Sequence, residues 1–330
     1  MSSSRLALTL AQGGYDHISD LASGEVRVDG VDLTVLTLPV EEIFFRFLRF
    51  REWHVSELSF AKYLALRTSG DTSLVAIPVF PSRVCRHSSV FVGPDGPSSP
   101  GELAGCRIGV PEWAQTASVY SRGLLQHEWG VPLQDVKWFQ AGVNTPGRAE
   151  KVPLHLPDGI SLTPVPDRCL DDMLRDGELD AIFSAHPPDS FERGDPRIVR
   201  MFPNYREVER EHMARTRIFP IMHIIAIRAD VLEAAPWVAA NLYTAFCEAK
   251  RRSVERLSKI TTSRLPMAWV PSLVDEMRLL LGPDPFPYGV EDNRPTLDAF
   301  TRWAYEQGVA SRPVDAAELF APQVLDLVKV

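Results

Sequence analysis

The sequence predicts an α/β protein of two lobes, each a mainly parallel sheet flanked by helices, with a ligand cleft between them. Three observations lead there. Short β-rich runs alternate with helical segments over most of the 330 residues. A Gly/Pro/Ser-rich stretch, GPDGPSSPGELAG at 93–105, interrupts that alternation early. A strongly apolar run, RIFPIMHIIAIR at 217–228, stands far downstream and reads as the chain's return to its first sheet. The first lobe is therefore expected to be discontinuous, 1–92 with 214–330, and the second to be inserted at 93–213.

The elements follow in order. RLALTLA is a buried strand ending at Gly13-Gly14, and VRVDGVDLTVLTL alternates around Asp29-Gly30 as a hairpin-like strand pair does. EEIFFRFLRF is a helix with acids in its first turn. HVSELSFAKYLALR reads as strand then helix, and LVAIPVF and SSVFVG as strands. Past the interruption, CRIGVP is a strand, EWAQ a loop and TASVYSRGLLQHEWG a helix ending at Gly130. VKWFQ, ISLTPVP, the helix CLDDMLRDGE and the strand LDAIFSA complete the inserted lobe. After the return strand, PWVAANLYTAFCEAKRRSVERL is a long helix with Pro236 near its start. In sheets of this kind ligands sit at the carboxyl ends of strands, here facing across the cleft.

Composition narrows the function. The net charge of −8 argues against nucleic acid as partner. Cys85, Cys106, Cys169 and Cys247 are far apart without CxxC spacing, which fits reduced thiols better than a zinc or disulfide framework. The apolar run Leu6–Leu10 is too short for a secretion signal, and no stretch approaches a membrane span, so a cytoplasmic protein is expected. No Gly-rich phosphate loop, HExxH or GxSxG occurs.

Four groups of residues can carry chemistry. Arg83, Arg86 and His87 in PSRVCRHSS deliver two guanidinium forks and an imidazole, which suits a carboxylate; a basic surface turn is the plain alternative. Glu112, Thr116 and Ser118 lie where the strand CRIGVP meets a helix; Thr116 or Ser118 can cap it, and free amides at such an end bind anions. Glu57 and Ser59 in VSELSF place an acid where the pattern wants an apolar residue. His223, with Arg217 nearby, stands inside the apolar return run, where a satisfied core histidine is the competing reading. His186 ends the last strand of the inserted lobe, and Arg148 and Glu150 lie on a loop able to close over ligand.

VSELSFAKYLAL, IPVFPSRVCRHSSVFV, GCRIGVPEWAQTASVYSRGLLQHEWGV, PGRAEK, DGELDAIFSAHPP and the return run with the helix after it resemble the 4,5-dihydroxyphthalate decarboxylase family, from about residue 55 to residue 250. The combination of PSRxxRHS, TASxxxRGLLxHEWG and FPIMH carries the resemblance. It implies a fold similar to type II periplasmic binding proteins and a carboxy-lyase that removes one carboxylate from a dihydroxylated aromatic diacid. It also implies a homo-oligomer whose partner is a small aromatic carboxylate, with neither nucleic acid nor membrane involved. No cofactor is predicted, a divalent metal remaining open. Such chemistry needs an acid, a base, an anion clamp and a dry cavity. Arg83 and the Thr116/Ser118 helix end are assigned to carboxylate binding, with Arg86, Ser59, Arg148, His186 and Arg217 as further contacts. His87 or His223 is assigned as proton donor, and Glu57 or Glu112 as base or orienting partner. The rival readings are a binding or sensor protein for a small carboxylate without catalysis, and a different lyase or transferase on the same fold.

Overall fold

The computed structural model describes residues 5–325 and Leu327. Eleven strands form two sheets: β1 (Leu6–Gln12), β2 (Val31–Thr37), β3 (Val55–Ser59), β4 (Leu74–Ile77), β5 (Val90–Val92), β6 (Arg107–Val110), β7 (Lys137–Gly142), β8 (Leu162–Cys169), β9 (Ala181–Phe183), β10 (Val199–Arg200) and β11 (His223–Arg228). The first sheet has the order β2-β1-β3-β11-β4, the second β10-β5-β9-β6-β7-β8. In the first, β11 alone runs against its neighbours β3 and β4. In the second, β5 alone runs against β9 and β10, the rest lying parallel.

Both sheets therefore keep a parallel core, and the strands inside them are covered on both faces. All five residues of β3 are buried, as a central strand between helical layers requires. Helices Val40–Phe50, Phe60–Thr68 and Trp237–Ser258 belong to the first lobe, and Thr116–His127 and Leu170–Arg175 follow strands of the second. Helix Thr116–His127 also packs on Arg294–Glu306. That approach needs Gly123, since a Cβ there would stand 2.2 Å from the Trp303 ring.

Two expectations are corrected. VRVDGVDLTVLTL is not a hairpin-like pair: only Val31–Thr37 is a strand, and it lies parallel to β1. Val26 and Val28 are buried in the core instead, and Gly30, with φ +70°, turns the chain into β2. Val90–Val92, expected with the first lobe, pairs with β9 and β10 in the second sheet. The chain thus leaves the first sheet after β4, within residues 78–89, ahead of the Gly/Pro/Ser stretch. It returns after β10 through helix Tyr205–Thr216 and the irregular segment before β11.

Candidate active site

The β3/β11 register builds the centre of the site. Glu57 lies opposite Ile225 and Ser59 opposite His223. Glu57 and His223 are therefore diagonal neighbours on one face of the sheet, close enough for their side chains to meet. His223 Nδ1 stands 2.6 Å from Glu57 Oε1. The same oxygen accepts a bond from the Tyr15 hydroxyl at 2.6 Å, and Oε2 accepts from the Gly13 amide at 2.7 Å. Glu57 has no exposed surface. A fully buried carboxylate is tolerable because these three donors replace its water.

The pairing fixes His223. With Nδ1–H directed at the carboxylate, Nε2 is the nitrogen left to exchange a proton, and it has no hydrogen bond among the described residues. The edge of Phe44 packs against the ring, 4.9 Å between centroids. Burial and the adjacent Glu57 charge push the Tyr15 hydroxyl far above its ordinary value, so it is a donor at neutral pH. His17, 5.5 Å from the Tyr15 ring, is brought down to about 4 by burial and is neutral there.

Ser59 Oγ is 3.0 Å from Thr116 Oγ1, and Thr116 Oγ1 accepts a bond from the Ala61 amide at 3.0 Å. Neither Thr116 nor Ser118 caps its helix: Gln115 is the N-cap, without a side-chain bond. Thr116 instead satisfies an orphan amide in the first turn of helix Phe60–Thr68, in the other lobe. Ser118 is buried, its hydroxyl 3.3 Å from Gln115 Oε1.

Glu112, also without exposed surface, is paired across the lobes with Lys62 and held by Arg148 at 2.8 Å and Lys151 at 3.2 Å. Burial alone would raise its carboxyl; the three cations outweigh it and hold the group below its usual range. Arg148 reaches on to Glu41 at 3.1 Å, tying the loop to the first lobe. Glu150 accepts from the Ala114 amide.

The arginines of PSRVCRHSS are buried, so the surface-turn reading fails. Arg83 bonds Asn293 and is ringed by Phe219, Phe80 and Phe286 at 5.0–5.6 Å. Arg86 Nη2 lies 2.6 Å from the sulfur of Met222, the residue before His223. The Nε of each is buried without a hydrogen-bond partner among the described residues. Burial lowers both guanidinium groups to about 10, leaving them charged at neutral pH.

Three residues lie elsewhere. His87 contacts Trp129, Phe202 and His212 rather than Glu57 or His223, because the bend after Arg86 turns it toward the second lobe. Arg217 is the left-handed C-cap of helix Tyr205–Thr216 and donates to the Leu280 carbonyl. His186 has 65% of its side chain exposed and comes no nearer than 3.9 Å to Glu41. Sequence patterns do not single out Tyr15, His17 and Lys62. Tyr15 and His17 follow the carboxyl end of β1, the position that strand-end logic favours, but nothing in GGYDH itself marks them. Lys62 looks like an ordinary helix lysine in FAKYLAL.

No family model matches the chain. Among solved structures it resembles the periplasmic aliphatic sulphonate binding protein of Escherichia coli, with TM-score 0.54 and 14% identity over 97% of this chain and 99% of that one. It also resembles a periplasmic sulfonate-binding protein from Methylobacillus flagellatus, with TM-score 0.57 and 14% identity over 97% and 93%. These likenesses establish the periplasmic-binding-protein-like fold and nothing further. Two curated proteins are much nearer in sequence. One, the 4,5-dihydroxyphthalate decarboxylase of Comamonas testosteroni, is 37% identical over 329 residues, 99% of this chain and 100% of that protein. The other, of the same name from Pseudomonas putida, is 38% identical over 200 residues, 60% of this chain and 78% of that protein. With end-to-end similarity at this level, the chain belongs to the 4,5-dihydroxyphthalate decarboxylase family.

Proposed function

We propose that the chain is a non-oxidative decarboxylase of 4,5-dihydroxyphthalate or a closely similar hydroxylated aromatic diacid. The observation that carries this reading is the similarity over the full length of the Comamonas testosteroni decarboxylase. In such a substrate each carboxylate is para to a hydroxyl. Removing the hydroxyl proton pushes electron density onto the ring carbon bearing the carboxylate. A proton added at that carbon then allows the C–CO2 bond to break, its electron pair restoring the aromatic ring. The products are CO2 and a dihydroxybenzoate, and the catechol supplies its own electrons.

In this reading His223 donates the proton through Nε2, Glu57 holds the imidazole, and Tyr15 completes the bond set on the carboxylate. His87, whose contacts are with another cluster, is left without a part in the proton transfer in this reading. Arg83 and Arg86, charged with unpaired Nε groups, supply the attraction for the diacid, and Ser59 and Thr116 the polar wall across the lobes. The protein works in the cytoplasm as a homo-oligomer. The absence of a disulfide among its four cysteines suits a reducing compartment. No helix among the described residues is long and apolar enough to cross a membrane.

The test is incubation with 4,5-dihydroxyphthalate, following CO2 release and product mass. Turnover is expected, lowered about 10²–10⁴-fold in a folded His223→Ala variant. Thermal stabilisation by the diacid without CO2 release would replace catalysis with carboxylate capture alone.

A further inference from the structure

Three side chains away from Glu57 converge where both lobe crossings pass the end of helix Thr116–His127. His87 opens the short turn His87–Ser89 on the outgoing crossing. Glu128 is the C-cap of the Thr116–His127 helix. His212 lies in the last turns of Tyr205–Thr216, on the return crossing. One ligand atom from each falls within 4.8 Å of the others.

A histidine–carboxylate pair explains part of this cluster: His212 Nδ1 is 2.5 Å from Glu128 Oε2. Arg215 takes the second oxygen, with Nη2 2.9 Å from Oε1. Neither contact accounts for His87. It is 1% exposed, and among the described residues neither ring nitrogen has a hydrogen-bond partner. Its Nε2 points at Glu128 Oε1 from 3.9 Å, too far for a hydrogen bond. The ring is otherwise enclosed by Trp129, Phe202 and His212, with centroids 5.1–6.0 Å away. An imidazole buried without a partner is costly. Two imidazoles and a carboxylate are the donor set that borderline divalent ions select.

We propose that His87, Glu128 and His212 form a binding site for a divalent transition-metal ion of the Zn(II) class. The ion satisfies His87, displaces Arg215 from one carboxylate oxygen, and joins the outgoing crossing, the helix end and the return helix. Three protein ligands leave a coordination position for water. The ion sits apart from Glu57 and His223, and its role is to fasten the two crossings together.

The test uses the untagged protein, stripped with a chelator, dialysed and checked by circular dichroism. Zn(II) or Co(II) is then added and bound metal is counted by mass spectrometry after desalting. Co(II) is also followed by its visible absorption and by quenching of tryptophan fluorescence, Trp129 lying beside His87. About one ion per chain is expected, together with a higher unfolding temperature. His87→Leu and His212→Leu should each weaken binding by more than about 10-fold. Failure of the folded wild-type protein to retain either metal at micromolar concentration overturns the proposal. So does retention that Glu128→Gln, His87→Leu and His212→Leu all leave unchanged. If a leucine variant does not fold, the wild-type titration and the near-isosteric Glu128→Gln still decide the matter. Metal occupancy is read directly, so the result is independent of whether the protein decarboxylates its proposed substrate.

Discussion

Replacing Glu57 by glutamine changes one oxygen into an NH2 group and almost nothing in volume. In the native site both oxygens only accept: Oε2 from Gly13, Oε1 from Tyr15 and from His223. A glutamine side chain can keep at most one of these faces. If its carbonyl stays with Gly13, the amide confronts the Tyr15 hydroxyl and the imidazole, and His223 must present Nδ1 as acceptor. The ring proton then moves to Nε2, the opposite tautomer. Bonds to a charged acceptor contribute about 1.5–3 kcal/mol and neutral ones about 0.5–1.5. Weakening three of them by about 1 kcal/mol each gives a stability loss of about 3 kcal/mol, read as a lower urea midpoint at unchanged slope. On activity, losing the carboxylate charge that faces Nδ1–H leaves the ring less able to carry protons on both nitrogens, the state from which Nε2 donates, and should cost about 10²–10⁴-fold in kcat. The assay is CO2 release with 4,5-dihydroxyphthalate, alongside equilibrium unfolding of the same preparation. Tyr15→Phe serves as control: it removes one donor and leaves the tautomer intact, so it should lose far less rate. A folded Glu57→Gln protein with kcat within about twofold of the parent would refute the role given to the Glu57–His223 pair.

Two other outcomes follow from buried titratable groups. Lys62→Met should destabilise by about 2–4 kcal/mol in chemical denaturation, because it leaves Glu112 buried with only the half-exposed Arg148 and Lys151 to balance it; the carboxyl is held low, so its contribution is complete above its ordinary value of about 4.5 and fades as the pH falls below that. His17 is displaced downward, from 6.5 to about 4, so the unfolded chain binds more protons in that window and stability rises with pH across it. Between pH 7 and pH 5 the protein should lose on the order of 2 kcal/mol from this group, and His17→Leu should remove that part of the slope.

The sequence exposed the centre of the site where a residue broke its own pattern. Glu57 and His223 each interrupt an apolar strand run, and the fold sets those two interruptions side by side. Ser59 and Thr116 also proved to be neighbours, though Thr116 acts across the lobes rather than at its own helix. A capping pattern states what a side chain can reach locally; it carries no information about an unsatisfied amide 55 residues away. Tyr15 and His17 gave no signal because β1 ends in a plain Gly-Gly turn, and their importance comes from the fold carrying that turn to β3. Lys62 sits among helix formers and becomes singular only when a second lobe presents Glu112. Proximity in sequence groups His87 with Arg83. A chain that bends between lobes sends nearby residues to different places, and a linear reading cannot see that bend. The parallel cores followed from strand–helix alternation, whereas the lone antiparallel strand of each sheet depends on long-range connections that leave no local trace.

The two passages between the sheets contain Arg83, Arg86 and His87 on the way out and His212 on the way back, and the second delivers His223 directly into β11. The passages therefore carry Arg83 and Arg86, proposed to attract the diacid, and the second leads straight into His223. A substitution that alters the swing of the lobes will also displace the guanidinium groups or the imidazole, so opening and turnover should change together in any mutant of these passages. Specificity in this architecture is therefore better altered from a position outside these passages, such as Phe44, which packs on the His223 ring, than from the passages themselves.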